Sequence, residues 1–509
     1  MLNFIDNFLN KITMYRLVLY YVLAILCTAI ILSFFGVLVF NPLYMFCGAI
    51  FIVSACLVVN YVFAKVFTVP ANVESAYITA IILALIISPP TSLADLGFLA
   101  LASWAAVWAM ASKYIFAIYK KHIFNPVAFA VALTALVIGQ AASWWVGTAA
   151  LFPVVLIGGI LLVRKLKRTD VVVSFLLVAS VVIIFGHGLN SGNIITTAKQ
   201  ILFSSPIFFF AFVMLTEPLT MPPKHGLRIA YGILIGLLFF PSLNIGPLYF
   251  TPELALIAGN IFSYIVSPKK KLLLRLKDRI MVAKDTYNFV FEMHERFLFS
   301  PGQYMEWTIP PVHADSRGNR RYFTIASSPT ENELIMGVKF YPNGSTFKGT
   351  LGSLKRDDHV LAGSLAGDFT LPDDLRQKMV FIAGGIGVTP FRSMVKYMTD
   401  MKQHRDVVMF YSNKTYEDIA YKDVFDTAGN VMGMKTVYVI TDPTTTALPV
   451  NMYSGMLDQN LVMKEVPDWR ERMFYLSGPH GMVTGFGATL SKMGVPESRI
   501  IKDFFPGFA

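Results

Sequence analysis

Arg320-Arg321-Tyr322-Phe323-Thr324-Ile325-Ala326-Ser327-Ser328-Pro329 is the stretch on which the reading of this chain turns. It sets cations, aromatics and a small hydroxyl residue ahead of a Ser-Ser-Pro turn. Side chains alternate across a strand, so Arg321 and Phe323 share one face, and Thr324 points to the other or closes the strand. A guanidinium grips a pyrophosphate bidentately, an aromatic stacks on a flat ring, and a hydroxyl bonds a ring nitrogen. The set suits a flavin dinucleotide. A plain strand with a surface arginine and a half-buried phenylalanine accounts for it equally well, so the surrounding chain has to decide.

Around this stretch the sequence reads as short strands, at 286–297, 304–309, 321–325, 334–341 and 359–362, separated by Gly and Pro. That spacing predicts an antiparallel barrel. Within it, Asn343-Gly344-Ser345-Thr346-Phe347-Lys348 precedes the apolar Leu351 and Leu354. Small residues before a helix aim free amides at an anion, and they equally make an ordinary helix cap. Beyond Lys378 the pattern changes. The apolar Met379-Val380-Phe381-Ile382-Ala383 runs into Gly384-Gly385-Ile386-Gly387-Val388-Thr389-Pro390 and a helix from Phe391. Strands follow at 407–411, 436–440 and 473–476, the last leading into Ser477-Gly478-Pro479-His480-Gly481-Met482. Strand, glycine loop and helix in repetition predict an α/β doubly wound parallel sheet, which binds ligands at the carboxyl ends of its strands. Glycines there let the backbone approach a pyrophosphate.

Taken in order, Arg321-Tyr322-Phe323-Thr324, the 384–390 loop, Ser477-Gly478-Pro479 and the tail Phe504-Phe505-Pro506-Gly507-Phe508 resemble the ferredoxin–NADP reductase family over about residues 272–509. The resemblance implies an FAD domain at 272–372, an NAD(P)-binding domain at 376–509, and hydride transfer from NADH or NADPH to FAD. It implies that Arg321 holds the flavin pyrophosphate, that Phe323 stacks on the isoalloxazine, and that Thr324 bonds its N5. Gly344, Ser345, Thr346 and Lys348 would face the FAD phosphates. Gly384, Gly385, Gly387, Thr389, Pro390, Gly478 and Pro479 would take the nicotinamide nucleotide, with Ser477 beside the nicotinamide and Phe508 covering the flavin. Thr324, Ser477 and Phe508 are thus the candidate catalytic residues. Two departures stand out: Phe323 replaces the commoner Tyr, and Ser477 replaces a frequent Cys. Lys414, after the second strand of the sheet, pairs a 2′-phosphate or is simply solvated, so the choice of nucleotide stays open.

Upstream of Pro268 the character differs. The chain is 55% hydrophobic and 15% charged, with a mean hydropathy of +0.57, against roughly 25% charge in soluble proteins. The deficit lies in residues 1–267, read as a polytopic membrane domain. Spans of about 20 residues are expected at 16–38, 43–65, 73–90, 95–117, 126–145, 147–164, 171–187, 199–216, 226–244 and 251–267. The net charge of +11 gathers at span ends rather than in a nucleic-acid patch. Lys11, Arg16, Lys65, Lys113, Lys120, Lys121, Arg164, Lys165, Lys167, Arg168, Lys224, Arg228 and Lys269 to Lys271 all fall on one side, and Lys199 alone on the other. The positive-inside rule then places both termini and the reductase half in the cytoplasm, in a multi-pass cell-membrane protein with lipid as a partner. The basic 268–277 stretch reads as a surface-anchored hinge. Cys27, Cys47 and Cys56 all lie in the first apolar runs, which leaves no thiolate for an iron–sulfur cluster in the soluble half. No helix carries two histidines for a stacked bis-His haem, and no metal site is expected.

Lys121-His122-Ile123-Phe124-Asn125-Pro126-Val127-Ala128-Phe129 and Met214-Leu215-Thr216-Glu217-Pro218-Leu219-Thr220 resemble segments of the large membrane proteins of the Rnf complex and of the sodium-pumping NADH:quinone reductase, over most of 40–266. The resemblance implies inverted five-helix repeats and a flavin, FMN or riboflavin, in the membrane half. The family's flavin-attachment loop is missing; the turn Ser143-Trp144-Trp145-Val146-Gly147-Thr148-Ala149 offers Thr148 as its nearest counterpart. Glu74, behind Pro70 and Asn72, and Glu217, before Pro218, interrupt spans at matching places, either as a central site or as interfacial residues. The expectation is a membrane-bound NAD(P)H-dependent flavin oxidoreductase passing electrons to a quinone, a redox partner protein or a second flavin. The alternatives are a transporter with a redox-sensing reductase domain and a ferric reductase-like enzyme.

Overall fold

The structure, a computed structural model, describes residues 8–9, 12–67, 73–118, 121–185, 194–239, 244–245, 248–267, 271–293, 297–309, 319–342, 344–442 and 452–503. Its contacts divide the chain into two units, Met1–Lys270 and Lys271–Ala509.

The first unit is helical: α1 (Met14–Phe34), α2 (Pro42–Val66), α3 (Val73–Ile86), α4 (Leu96–Ile115), α5 (Pro126–Ile138), α6 (Phe152–Leu166), α7 (Thr169–Ile183), α8 (Ile194–Phe203), α9 (His225–Leu238) and α10 (Pro252–Val266). Among the described residues, α1, α2 and α4 are long and apolar enough to cross a membrane; α3, α5, α7, α9 and α10 are apolar but shorter. Several starts are written in the sequence. Asn41 and Asn125 each accept two backbone amides ahead of a proline, and Thr251 caps α10 in the same way.

The shortening has a physical cause. Helix α5 was expected to reach 145, but it stops at Ile138 because Gly139 adopts a left-handed φ of 75°. The freed chain wraps the end of α3. The Ser143 and Trp144 amides both donate to Ile86 O at 3.0 Å, and Trp145 Nε1 donates to the Ala84 and Ile87 carbonyls. Loop donors thus satisfy carbonyls that a longer α3 would have bonded internally. The expected span 199–216 is likewise not continuous. After α8 the chain re-enters a short helix at Ile207–Phe209 and then a π-turn at Phe210–Met214, before turning at Thr216 and Glu217. Close helix contacts depend on glycine. A Cβ at Gly159 would lie 2.0 Å from the Phe212 ring, and one at Gly232 would lie 2.2 Å from Ser174 Oγ.

The second unit holds two sheets. The first is antiparallel and comprises β1 (Leu272–Ala283), β2 (Thr286–Glu292), β3 (Tyr304–Thr308), β4 (Arg320–Thr324), β5 (Glu333–Lys339) and β6 (His359–Ala366), in the order β4-β3-β6-β1-β2-β5. A single bridge between Ile325 and Met336 joins its edges. Its core is filled by Leu274, Leu276, Phe289, Phe291, Trp307 and Met336, and by Phe347 and Leu351 of α11 (Thr346–Ser353). Strand β1 corrects the expected hinge. Leu274 and Leu276 are buried, while Arg275 bonds Glu292 and Asp357, and Lys277 pairs with Glu333. From residue 272 on, those cations are cross-strand partners rather than lipid anchors; Pro268 to Lys270 lie outside the described residues. The strand expected at 286–297 ends at Glu292, and the one expected to end at 362 runs to Ala366 through a register shift.

The second sheet is all parallel and comprises β7 (Met379–Gly384), β8 (Val407–Asn413), β9 (Lys435–Ile440), β10 (Met452–Ser454), β11 (Met473–Ser477) and β12 (Ile500–Asp503), in the order β10-β9-β8-β7-β11-β12. Helices α12 (Thr389–Asp400), α13 (Lys422–Met432), α14 (Gln459–Glu465) and α15 (His480–Lys492) connect or follow these strands. Along β7, Met379, Phe381 and Ala383 enter one core, while Val380 and Ile382 enter the other. Strand β7 is therefore buried on both faces, which explains its unbroken apolar run.

Candidate functional site

At the carboxyl edge of the parallel sheet, β7 and β11 lie side by side, with Ala383 opposite Ser477. The loops leaving them touch. A Cβ on Gly387 would lie 2.4 Å from Gly478 Cα and 2.7 Å from the Ser477 carbonyl carbon, and one on Gly384 would lie 3.1 Å from Pro479 Cδ. No side chain fits at Gly387, while Gly385 uses its freedom differently, at φ 51°. The structure thus brings Gly384, Gly387, Ser477, Gly478 and Pro479 together at this edge, with Gly385 in the same loop facing open space. Thr389 and Pro390 open α12 above it; Thr389 Oγ1 donates to Ile386 O at 3.2 Å, so this hydroxyl caps its own turn.

On the antiparallel sheet, Arg321 Cζ lies 5.4 Å from the centroid of the Phe347 ring, and the Phe323 ring stacks on the same Phe347 at 5.9 Å. Both reach one ring, as their shared strand face requires. Thr324 is buried at the strand's end. Phe347 belongs to the first turn of α11, so Arg321 stands beside a helix N-terminus. A guanidinium beside a helix start is the kind of setting in which an anion such as the expected flavin pyrophosphate is held. Two expected roles shift. Ser345 spends its hydroxyl capping α11 through Lys348 N at 3.4 Å, and Lys348 Nζ turns back to Lys339 O at 3.0 Å and lies over the Tyr341 ring. The Ser345 hydroxyl and the Lys348 ammonium are thus both engaged within the chain. A Cβ on Gly344 would meet Tyr341 O and the Lys348 side chain at ordinary contact distance, and Thr346 begins the helix. Asn343 and the tail with Phe508 lie outside the described residues.

Sequence reading missed the residues that hold these two surfaces together. Arg392 in α12 binds Glu331 through both of its terminal nitrogens, and Ser393 Oγ donates to Ser327 O at 2.7 Å. Nothing in the local pattern marks these residues, because their partners are distant in sequence.

The helical unit has a polar cluster of its own. His122 Nε2 lies 3.3 Å from Glu217 Oε1, while Asn125 Nδ2 and Thr220 Oγ1 donate to Glu217 Oε2 at 2.8 and 3.3 Å. Asn260 accepts from the Asn125 amide and donates to the Tyr231 hydroxyl. Lys113, expected as a flanking charge, instead donates to Ser75 and Thr79 across α3 and α4. Glu74 lies 3.6 Å from Arg16; Pro70, Asn72 and His187 are outside the described residues. The Thr148 hydroxyl is buried, so it is not presented for attachment of an external group. A cavity of about 220 Å³ is lined by Ser88, Thr134, Gln140 and Ser143 with apolar neighbours, at the loop that wraps α3.

Comparison with known proteins bears on the second unit. Residues 381–487 match the family described as oxidoreductase NAD-binding domain. The chain is 26% identical over 214 residues to an NADPH oxidoreductase of Mycobacterium tuberculosis, covering 41% of this chain and 53% of that protein. It is 24% identical over 221 residues to a glycine betaine monooxygenase reductase subunit of Pseudomonas aeruginosa, covering 43% and 60%. It is 30% identical over 215 residues to the reductase component of propane 2-monooxygenase of Rhodococcus jostii, covering 41% and 55%. The chain thus spans little more than half the length of these curated relatives. Among solved structures, the Amycolatopsis cytochrome P450 reductase aligns with a TM-score of 0.42 at 24% identity, over 47% of this chain and 70% of that one. The FAD/NAD-binding domain of Vibrio cholerae nitric oxide dioxygenase aligns at 0.41 and 18%, over 45% and 97%. The C-terminal half is thus similar to NAD(P)H-dependent reductases and reductase components, and its residues 381–487 match an oxidoreductase NAD-binding domain.

Proposed function

We propose that the chain is a multi-pass membrane flavoenzyme in which NADH or NADPH reduces FAD at the C-terminal unit and the electrons pass to the helical unit. The domains are then 1–267 in the membrane, 272–372 as a closed barrel for FAD, and 376–509 for the nucleotide. The carrying observation is the pairing of two surfaces: the Gly387–Gly478 contact at the sheet edge and the Arg321–Phe347 cradle, tied together through Ser327 and Ser393. The chemistry FAD would supply there, when bound, is uptake of a hydride (two electrons and a proton) from the nucleotide and one-electron release onward.

The protein's part is binding and orientation. Arg321 and the first amides of α11 meet the pyrophosphate; Phe323 flanks the flavin ring; Thr324 offers a hydroxyl to its edge. The glycine loops would admit the nucleotide's pyrophosphate against backbone, and Ser477 would stand by the nicotinamide; the covering role expected of Phe508 falls outside the described residues. The apolar helices and the one-sided distribution of cations support a cell-membrane location with the reductase half in the cytoplasm. The next acceptor is a quinone, a redox partner protein, or FMN or riboflavin held by the helical unit in the manner of the Rnf and sodium-pumping reductase membrane proteins. A hydrocarbon layer of about 30 Å is too thick for a single electron hop, so transfer to the outer face calls for that second flavin.

The test is an anaerobic absorbance spectrum of the purified chain before and after NADH or NADPH, with flavins counted after extraction. Bleaching of an FAD spectrum is expected. A chain that stays colourless in excess FAD overturns the reading, and one FAD with no other redox centre removes the outward route.

A further inference from the structure

Helix α12 begins at the nucleotide loop, and its first turn carries Arg392 and Ser393. The flavin strand β4 continues into Ala326, Ser327 and Ser328, and Glu331 lies in the loop beyond. These two segments are locked together. Glu331 Oε1 accepts from Arg392 Nη2 at 2.8 Å, and Oε2 accepts from Arg392 Nη1. The same Oε2 accepts the Ser328 amide at 2.6 Å, and Arg392 Nη1 also donates to Ala326 O at 3.0 Å. Ser393 Oγ donates to Ser327 O at 2.7 Å. Arg392 is 7% exposed, and Ser327, Ser328 and Ser393 are fully buried. A second contact holds the same helix from the side of β5. A Cβ on Gly337 would lie 2.4 Å from Tyr421 OH and 2.8 Å from Thr389 Cγ2, while Tyr421 OH donates to Asn288 Oδ1 at 2.5 Å.

A buried ion pair stabilises no better than well-packed apolar side chains would. What a bidentate, fully bonded pair adds is a single geometry. Hydride transfer needs that geometry, because reacting atoms must stand about 3–3.5 Å apart, and a displacement of roughly 1 Å costs about a hundredfold in rate. We propose that the Arg392–Glu331 pair, with Ser393–Ser327, is a clamp that sets the spacing of the nicotinamide loop from the flavin strand, making Arg392 and Glu331 positioning residues for hydride transfer. The proposal rests on the NAD(P)H-to-FAD reading above.

The test uses the full chain as wild type, Glu331→Gln, Arg392→Lys and Gly337→Ala; the last wedges the second contact of the same helix, at Thr389 and Tyr421, without touching charge. Flavin content, NAD(P)H affinity, the anaerobic rate of flavin reduction and the long-wavelength charge-transfer absorbance on mixing are measured. Deuterium exchange at the Ser328 amide is read on the flavin-free chain. In the variants, FAD content should hold and NAD(P)H affinity should stay within about threefold. The reduction rate should fall roughly 10–100-fold with a weakened charge-transfer band. Ser328 exchange should accelerate in Glu331→Gln. Wild-type rates and bands in all three variants overturn the clamp, as does a rate loss that lost FAD fully explains. A wild-type chain whose FAD neither nucleotide reduces overturns the underlying reading and the clamp with it.

Discussion

Arg321 meets the Phe347 ring at the N-terminus of α11, a setting that supports the proposed role of this arginine at a flavin pyrophosphate. Hydrogen bonds to charged groups contribute roughly 1.5–3 kcal/mol each. Arg321→Ala should therefore weaken FAD binding by about 10–100-fold, measured by titrating flavin-free protein and following fluorescence quenching. A different residue argument applies at the opposite edge of the parallel sheet. Arg472, 6% exposed, donates to Asp468 at 2.7 Å and to both carboxylate oxygens of Asp406 at 2.7 and 2.9 Å. Hydrogen bonding from Arg472, joined by Lys378, draws the Asp468 carboxyl down to about 2. A carboxylate depressed from an unfolded value near ~3.9 adds stability above that pH and loses it as pH falls toward the folded value. Asp468→Asn should thus be less stable than wild type at neutral pH, and the gap should close between about pH 4 and pH 2; urea midpoints across that range check it. Arg472→Ala should cost on the order of 1–2 kcal/mol, since Asp406 is half exposed and Asp468 keeps Lys378 as a partner.

At the scale of elements, the glycine loop and its helix could be read from the chain, because a buried strand, a tight turn and a helix start are all local patterns. The strand β1 was readable too. Leu272, Leu274 and Leu276 alternate with Leu273, Arg275 and Lys277, but the run of cations beside an apolar segment drew attention to the membrane instead. The partners Glu292, Asp357 and Glu333 that make it a strand come from elsewhere in the chain. Helix ends were less legible still, since α3 stops where a loop from another segment takes over its carbonyls, and α5 stops at the left-handed Gly139. Two substitutions test these contacts. Gly387→Ala puts a methyl 2.4 Å from Gly478 Cα; it should leave FAD bound while slowing flavin reduction by NAD(P)H at least tenfold, roughly the cost of a 1 Å displacement or less. Gly159→Val drives a side chain into Phe212; its thermal midpoint in detergent should fall, as overpacking costs typically ~1–3 kcal/mol.

For the whole molecule, the division at Lys270 and Lys271 predicts that residues 271–509 expressed alone bind FAD and reduce ferricyanide with NAD(P)H, yet leave a membrane quinone oxidised. The full chain in vesicles should reduce both, and quinone reduction by the isolated half would remove the helical unit from the electron path. By itself the sequence determined the apolar character of one half and the reductase-like character of the other. Hydropathy, strand alternation and glycine turns act over a few neighbouring residues, so they survive in the bare order of the chain. Only the tertiary structure decided that Gly387 lies against Gly478, that Arg392 closes on Glu331, and that Glu217 gathers His122, Asn125 and Thr220. Such contacts bring together segments far apart in sequence, and their identity depends on how whole elements pack, which no local pattern carries.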